Sequence, residues 1–436
     1  MRACPLQVSK PEGDLILLAT TKLRVWLKNL FPGWWVLGAA VAVQILPAGL
    51  LFNAYSAYAV VMQTEFGWSA TIFAAAFAAN QATGFLGPFQ GWLLQRFGPQ
   101  RIIRVGLVVF AIGLVMLSQV HSLPLFFAAV LIAAFGASLG GFLSTNTTTV
   151  NWFIRHRSMA LALIQVGISA GGLIAPVIAW SLTMYGWRFT AMASAVLVLA
   201  IGLPLTRAIR NRPEDIGLTP DGDKVGDQQI LNEKPQAEFG AREALRTRAF
   251  WFISLGHALA LTVVSAVLAH LVLYLTQEKG FSLAFGASMV AVMTASSLVG
   301  QLSGGRLGDR VEKRLIAIAA MFGHSGALCM LVFGGSLPWV IAFAILHGFS
   351  WGLRGPTMQA LRADYFGRRS FAQILGFSGP MITSGMVAGP LIVGLLADHS
   401  GSFQPGFLVV AILAALGSIF FILARPPKKR PSRLIG

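Results

Sequence analysis

The chain has 436 residues, of which 56% are hydrophobic and only 11% are charged. A soluble domain carries about 25% charged residues, so this composition excludes an ordinary soluble protein and indicates a polytopic helical membrane protein. The formal net charge of +17 would suit a nucleic-acid partner, but the distribution of the basic residues along the chain argues against one.

Apolar stretches, each near the length of about 20 residues that a helix needs to cross a bilayer, follow one another from Trp34 to Ala424. Residues 1–32 form a tail before them, in which 15–31 is predicted to lie as an amphipathic helix on the inner surface. A polar linker over 210–249 divides the stretches into bundles at 33–209 and 250–424, and 425–436 is a basic tail. The twelve predicted spans are 34–60, 70–94, 102–120, 124–153, 158–184, 188–206, 250–276, 282–304, 315–335, 338–363, 370–397 and 405–424.

The basic residues indicate the orientation of these spans. If alternate connections face opposite sides, 30 of the 33 Lys and Arg lie on the side of both tails and the linker. The other side has Arg188 and Lys279, and Arg354 alone lies inside a span, with Arg362 counted in the loop after the tenth span. The positive-inside bias therefore predicts that both termini lie in the cytoplasm. The compact chain with its short loops favours a bacterial-type protein of the inner (cell) membrane. The basic runs are predicted to face anionic lipid headgroups rather than nucleic acid.

The two halves of the chain repeat each other at an offset of 213–218 residues. The repeated features are a Gly-rich loop after the second and eighth spans, a Phe-x-Arg segment before the fifth and eleventh, and a Gly-x-x-x-Gly pair within those two spans. Duplicated halves packed about a pseudo-two-fold axis are typical of transporters, with the substrate site at their interface near the bilayer midplane. The matching residues are Gly91 with Gly305, Phe153 with Phe366, and Gly167 and Gly171 with Gly385 and Gly389.

The loop after the eighth span reads Gly305-x-x-x-Asp309-Arg310 and resembles the loop signature of the major facilitator superfamily. The resemblance extends over essentially the whole chain and implies an all-α fold of twelve transmembrane helices in two pseudo-symmetric six-helix bundles. In that family the loop braces the outward-facing state through charged contacts. The first copy departs from the signature, because Gln95 stands in the place of the acid. The gating residues that the resemblance implies are Gly91, Gln95, Arg96, Gly305, Asp309, Arg310, Arg155 and Arg157.

Two shorter patterns resemble the monocarboxylate porter and oxalate/formate antiporter branch of that superfamily. They are Gly33-Trp34-Trp35 at the start of the first span and Trp152-Phe153-x-Arg155-x-Arg157 before the fifth. The charged residues that this branch carries in its eighth and eleventh spans are absent here, so they transfer no role to this chain.

Arg354 is the strongest candidate for substrate contact. A charge at membrane depth is costly and usually belongs to a substrate or ion pathway, and a guanidinium binds a carboxylate in a bidentate manner. On a helix it shares a face with His347, Trp351 and Met358, beside a face of Gly348, Gly352 and Gly355 that permits close packing. Bracing of the gate and simple packing are the alternative roles of Arg354.

Other polar side chains on spans that line the cavity in this fold are further candidates for substrate binding. An interhelical hydrogen bond is the alternative for each of them. The full set of candidates is Arg354, Gln44, Asn53, Tyr55, Asn146, His257, His270, Tyr274, His347 and Trp351.

The sequence therefore predicts a transporter, active or facilitative, that moves a small organic anion, above all a monocarboxylate, by alternating access. A drug or metabolite exporter and a non-transporting nutrient sensor are the rival functions. No reactive constellation indicates an enzyme, and no cofactor or metal site is expected. The expected partners are the organic anion, the lipid bilayer, and protons or a counter-anion, and the expected oligomeric state is a monomer.

Overall fold

The structure, a computed structural model, describes residues 31–68, 70–223 and 238–427. It contains helices and no strand within those ranges. The N-terminal segment predicted to be amphipathic lies outside the described residues except for Phe31, as does the end of the basic C-terminal tail.

The first bundle consists of six long helices, several of which are interrupted. A π-helical turn over Ala48–Phe52 follows Pro47 in the first, because proline has no N–H to donate within a helix. Gly186, at a φ of 79°, separates the fifth helix from the sixth, and this backbone conformation is one that glycine adopts without strain. The helices are α1 (Pro32–Phe66), α2 (70–97), α3 (Pro99–Ser118), α4 (Leu123–Trp152), α5 (157–185) and α6 (187–205).

The second bundle is more regular, and all its helices except the last run longer than the apolar stretches that predicted them. The tenth helix, for example, continues three residues beyond its predicted end. The helices are α7 (Arg248–Gln277), α8 (Leu283–Gly308), α9 (Lys313–Gly334), α10 (Leu337–Phe366), α11 (Phe371–Ser400) and α12 (Gln404–Leu423).

Eight helical runs of the described residues are long and apolar enough to cross a membrane. One of them, Arg157–Leu205, has 49 residues and contains both α5 and α6. The helices α2, α8 and α10 are also long enough to cross a bilayer. The chain is thus an integral multi-pass membrane protein with the predicted twelve spans in two bundles.

Glycine pairs show the pseudo-symmetry of the two bundles. A Cβ atom added at Gly171 would lie 2.9 Å from the backbone nitrogen of Gly49, so α5 packs closely on α1. A Cβ atom added at Gly385 or Gly389 would lie 2.3 or 2.1 Å from a carbonyl oxygen of α7. The repeat found in the sequence therefore marks the same close contact in each half, α5 on α1 and α11 on α7.

The two bundles meet at the end of the molecule that carries the linker, which we call the linker face. Among the described residues, every hydrogen bond that joins one bundle to the other lies in the half near this face, for example between Asp309 and the start of α5. At the opposite face, Glu65 pairs with Arg188 within the first bundle and Glu278 accepts hydrogen bonds within the second. The structure is therefore closed at the linker face and held together there by polar contacts.

The linker is more ordered at its ends than its solvated composition predicts. After α6, short 3₁₀ turns form over Pro213–Ile216 and Pro220–Gly222, and before α7 a short helix forms over Ala241–Leu245. Residues 224–237 lie outside the described ranges. Both ordered ends lie against the loops that begin α5 and α11.

Candidate functional site

Arg354 lies near the middle of α10 and is 1% exposed. Its Nε and Nη1 atoms have no hydrogen-bond partner. No carboxylate of the described residues comes within ion-pair distance of it. Because a buried unpaired charge is costly, the guanidinium of Arg354 is held in this position without the internal compensation that an ion pair would provide.

Glycines fix how α10 packs. A Cβ atom added at Gly348 or Gly352 would lie 2.1 or 1.9 Å from a carbonyl oxygen of α8, so these two positions allow the helices to touch. Gly355 faces the first bundle instead, since its added Cβ would lie 3.3 Å from Nε2 of Gln165. The predicted glycine face is thus confirmed for the first two positions. Trp351, one turn away from Arg354 on the helix, is partly buried.

The assignment of Arg362 to the loop after the tenth span is wrong. The helix continues past it, and Arg362 is 1% exposed. Its Nη1 donates to the carbonyl oxygen of Met358 and to Oε1 of Gln359, both at 3.3 Å, and its Nη2 lies 3.1 Å from Nδ1 of His257. These neutral acceptors solvate the charge of Arg362, so Arg354 is the less satisfied of two buried guanidiniums.

Three buried imidazoles surround these guanidiniums. His347 on α10 and His324 on α9 are both 0% exposed, and their Nδ1 atoms are 3.2 Å apart. If they share a hydrogen bond, one Nδ1 carries the proton and the other accepts it. These two residues and His257 all lie within Coulombic range of Arg354. The second bundle therefore contains a cluster of imidazoles and guanidiniums with no acid among them.

The structure does not bring the other two candidates on α7 to this cluster. His270 follows His257 by 13 positions, which is about 20 Å along a helix. Its Nε2 lies 3.0 Å from the carbonyl oxygen of Pro390, and the Tyr274 hydroxyl donates to a carbonyl oxygen of α9 at 3.4 Å. Both side chains make the interhelical hydrogen bonds that were the alternative to substrate contact.

Two of the four candidates in the first bundle have unused polar atoms. Gln44 is 7% exposed and Asn146 is 0% exposed, and neither Oε1 of Gln44 nor Oδ1 of Asn146 has a partner. Asn53 and Tyr55 instead bond to nearby backbone carbonyl oxygens, both at 2.8 Å. Gln44 and Asn146 are thus the first-bundle residues with free capacity for a ligand.

The second copy of the loop signature joins the two bundles. The Asp309 carboxylate accepts hydrogen bonds from the backbone N–H groups of Ser158 and Met159, at 2.7 and 3.2 Å, at the start of α5. A carboxylate at a helix N-terminus is stabilised by the helix dipole. A Cβ atom added at Gly305 would lie 3.0 Å from Cα of Met159, so this glycine lets α8 approach α5. Arg310 is exposed.

The first copy of the signature makes no such contact. Gln95 is exposed and has no hydrogen bond among the described residues, and Arg96 lies 5.4 and 5.5 Å from the centres of two neighbouring aromatic rings. Gly91 keeps its packing role, because a Cβ added there would lie 2.5 Å from the carbonyl oxygen of Ala372 in α11. The contact of α2 with α11 and the contact of α8 with α5 are thus similar in glycine packing, but they differ in charge.

Arg157 makes the strongest link between the bundles. It is 0% exposed, and its Nη1 lies 2.7 Å from a carboxylate oxygen of Asp364 at the end of α10. Lys313 lies 2.7 Å from the other oxygen of that carboxylate. One carboxylate therefore joins the start of α5 to α9 and α10.

Arg155, the other basic residue expected at the gate, contacts the linker. Its Nη2 lies 2.7 Å from Oδ2 of Asp223. The neighbouring Asp221 accepts hydrogen bonds from the backbone N–H groups of Ile154 and Arg155, at 2.8 and 2.7 Å. The start of the linker is thereby attached to the loop before α5.

The end of the linker makes the equivalent contact in the second bundle, which the sequence did not reveal. Glu238 accepts hydrogen bonds from the backbone N–H groups of Arg368 and Arg369, at 3.3 and 2.8 Å. Arg368 corresponds to Arg155 at the repeat offset of 213. Asp221 and Glu238 therefore attach the two ends of the linker to equivalent loops. The only sign of these contacts in the sequence was that one acid follows α6 and the other precedes α7.

The family model of the Major Facilitator Superfamily matches residues 41–353 and 284–435. This chain belongs to that superfamily. Membership agrees with the two bundles, the duplicated loop signature and the buried charge in α10, and it makes the chain a transporter by family.

Relatives in the superfamily differ in what their names say they carry. The chain is 29% identical to "Monocarboxylate transporter 11" of Homo sapiens over 89% of this chain and 82% of that protein. It is 25% identical to "Hexuronate transporter" of Escherichia coli strain K12, over 88% and 92%. The crystal structure of the E. coli fucose:proton symporter FucP (N162A) matches at a TM-score of 0.68 and 19% identity, over 89% and 98%, and this likeness concerns the fold.

In this superfamily member, replacing Asp309 with asparagine should impair transport about tenfold or more, whereas Gln95→Ala should change it by less than about twofold. The reason is that Asp309 makes charge-assisted hydrogen bonds between the bundles, worth about 1.5–3 kcal/mol, while Gln95 makes none. Counterflow of a carboxylate in proteoliposomes, normalised to the amount of folded protein, measures both. Equal losses for the two variants would show that the asymmetry of the loops has no mechanical meaning.

Proposed function

We propose that this protein carries a small organic anion, in the first place a monocarboxylate, across the membrane by alternating access. The observation that carries the proposal is Arg354, a buried guanidinium with two unpartnered nitrogens and no ion-pair partner among the described residues. A carboxylate fits its planar fork and neutralises its charge. The names of two relatives, a monocarboxylate transporter and a hexuronate transporter, support a carboxylate as the group recognised.

The binding site proposed for the anion lies between the bundles at the level of Arg354. Trp351 is its partly buried neighbour on α10, and Gln44 and Asn146 supply unused polar atoms from the first bundle. His257 and His347 lie within Coulombic range of Arg354 in the second bundle. In the state closed at the linker face, the anion enters from the opposite face, and opening the linker face requires breaking the contacts of Asp309 and Arg157.

We infer that the linker face is cytoplasmic and that the membrane is the inner (cell) membrane, with both termini inside. The orientation is supported by the division of basic residues between the two sides, 29 to 2 once the buried Arg362 is set aside, and the inner membrane by the compact chain with its short loops. A single cysteine at Arg246 in the linker should react with a membrane-impermeant reagent only from inside, and one at Ser122 only from outside. Reaction of both from the same side would contradict this topology.

The proposed transport mode is exchange rather than proton-driven accumulation. In the described spans, the acids Glu65, Asp364 and Asp398 lie in the last turns of α1, α10 and α11, away from the middle of the spans. An empty site would therefore leave the charge of Arg354 unneutralised during reorientation. We therefore expect counterflow to exceed net uptake several-fold in proteoliposomes, and a pH gradient to drive accumulation weakly. His257, His270 and His347 are the available proton carriers if coupling exists. Strong proton-driven accumulation that survives replacement of all three histidines would contradict this mode.

A thermal-shift screen of small carboxylates on the purified protein, followed by uptake of any hit, tests the substrate class. Stabilisation by a monocarboxylate together with its uptake is the expected result. Stabilisation without movement would identify a sensor on a transporter fold, and stabilisation by neutral amphipathic compounds alone would favour the exporter.

A further inference from the structure

A cavity of about 490 Å³ at the linker face lies between the two bundles. It is bounded by the α2–α3 loop and the end of α4 on one side and by the start of α11 on the other. The first residues of the linker complete its wall. We call it the junction cavity. Because its walls belong to different bundles, the cavity exists in this form only while the linker face is closed.

The junction cavity is strongly basic. Its arginines far outnumber its acids, since Asp215 is the only carboxylate among the described residues of the wall, and that carboxylate accepts a hydrogen bond from the backbone N–H of Arg212. Glu214, just outside, pairs with one of the arginines. The arginines that line the junction cavity are Arg96, Arg101, Arg212, Arg368 and Arg369.

Most of these guanidiniums have no carboxylate partner. Among these five arginines, only Arg368 forms an ion pair in the described part of the chain, and its partner is Glu214. The loop signature would place an acid beside them, but Gln95, which also lines the cavity, is neutral. At the equivalent interface, Asp309 supplies the negative charge. The junction cavity is therefore a basic site between the bundles that lacks the acidic side chain of the loop signature.

We propose that the junction cavity binds a phosphate-bearing anion from the linker side, and that the bound anion holds the two bundles closed at this face. Guanidiniums match phosphate oxygens in the same bidentate way as carboxylates, and the volume suits a small ligand. Arg96 and Arg101 come from the first bundle and Arg369 from the second. An anion bound between them stabilises the closed state to the extent that it binds that state more tightly than the open one. The phosphate group belongs to a soluble metabolite or to a lipid headgroup.

Pyrophosphate serves as the probe, with the purified full-length protein in detergent and in nanodiscs of neutral lipid. Pyrophosphate should raise the melting temperature of the wild type. The variant Arg96→Gln/Arg369→Gln should bind it about tenfold or more weakly, since it loses two charge-assisted contacts. The matched control is Arg306→Gln/Arg425→Gln, which removes the same charge from exposed sites outside the cavity. If the first variant does not fold, Arg101→Gln/Arg212→Gln replaces it.

Spin labels at His121 and Ser336, one in each bundle at the opposite face, report the conformation in a protein whose Cys4 and Cys329 are replaced by serine. Pyrophosphate should increase the fraction with the long distance between labels. Stabilisation that appears only in nanodiscs with anionic phospholipid, and needs the same arginines, assigns the site to a headgroup. Equal loss in the control variant, no stabilisation in either setting, or binding without a shift in the label distance would overturn the proposal. No carboxylate substrate enters this assay, so its outcome is independent of the proposed transport activity.

Discussion

Replacing Arg354 with glutamine should abolish carboxylate binding and transport. Glutamine keeps a polar side chain but removes the charge and the two parallel N–H donors. The loss of two charge-assisted hydrogen bonds, each worth about 1.5–3 kcal/mol, corresponds to a decrease in affinity of about a hundredfold or more. Arg354→Lys keeps the charge as a point without the planar fork, so it should be impaired to a smaller extent. Carboxylate-dependent thermal stabilisation and counterflow measure the two effects.

The matched control for this experiment is Arg362→Gln. Arg362 is equally buried on the same helix, but its charge is already solvated by Met358, Gln359 and His257. Its replacement should lower the stability of the empty protein and leave the affinity for carboxylate within about threefold of the wild type. Normal binding by Arg354→Gln would instead assign Arg354 to bracing or packing. Equal loss of affinity in both variants would point to a general effect of charge in α10.

Replacing Asp364 with asparagine should open the linker face. This change leaves the guanidinium of Arg157 buried without its carboxylate and also releases Lys313. Removing one partner of a buried pair costs about 3–5 kcal/mol, and Asp364 is partly exposed, so a shift of about a hundredfold in the equilibrium between the two states is expected. The charge pair joins the two bundles at the closed linker face, and we therefore expect its loss to act on the conformational equilibrium.

Spin labels at His121 and Ser336, in a protein whose Cys4 and Cys329 are replaced by serine, would show this shift as a shorter distance between the bundles at the opposite face. The control is Glu312→Gln, because Glu312 pairs with Arg314 at the surface of a single bundle, and such exposed pairs contribute about 0–1 kcal/mol. Transport by Asp364→Asn should fall because the cycle remains in one state. An unchanged distance distribution in that variant would show that Arg157 and Asp364 do not hold the linker face closed.

The span pattern and the internal repeat could be deduced from the residues alone. Each crossing needs about 20 apolar residues, so each span is visible as a continuous apolar stretch of the sequence. The duplication also appears in local motifs, and the glycine pairs of α5 and α11 occupy equivalent contacts. The asymmetry between Gln95 and Asp309 was visible in the same way, because it concerns which residue stands at a position of a motif.

The burial of Arg362 became evident only from the structure. The sequence analysis counted Arg362 with the charges of the following loop, whereas the structure buries it within α10, where neutral groups on α7 and α10 solvate its guanidinium. The partners are His257, which is 105 positions away, and Gln359 in the next turn. Hydropathy averaged over a window of the sequence does not detect a charge that is stabilised by neutral acceptors far away in the chain.

The direction in which a polar side chain points was also decided by the tertiary structure. Periodicity shows that His270 and Tyr274 share a face of α7, but the packing of α9 and α11 turns that face into the interior of the bundle. The partners of Arg157, Asp309 and Glu238 lie more than a hundred residues away in the chain. The sequence by itself determined the crossings, the repeat and the single missing acid, because each follows from local composition. Only the tertiary structure decided which charges join the bundles, because those contacts form between segments brought together by folding.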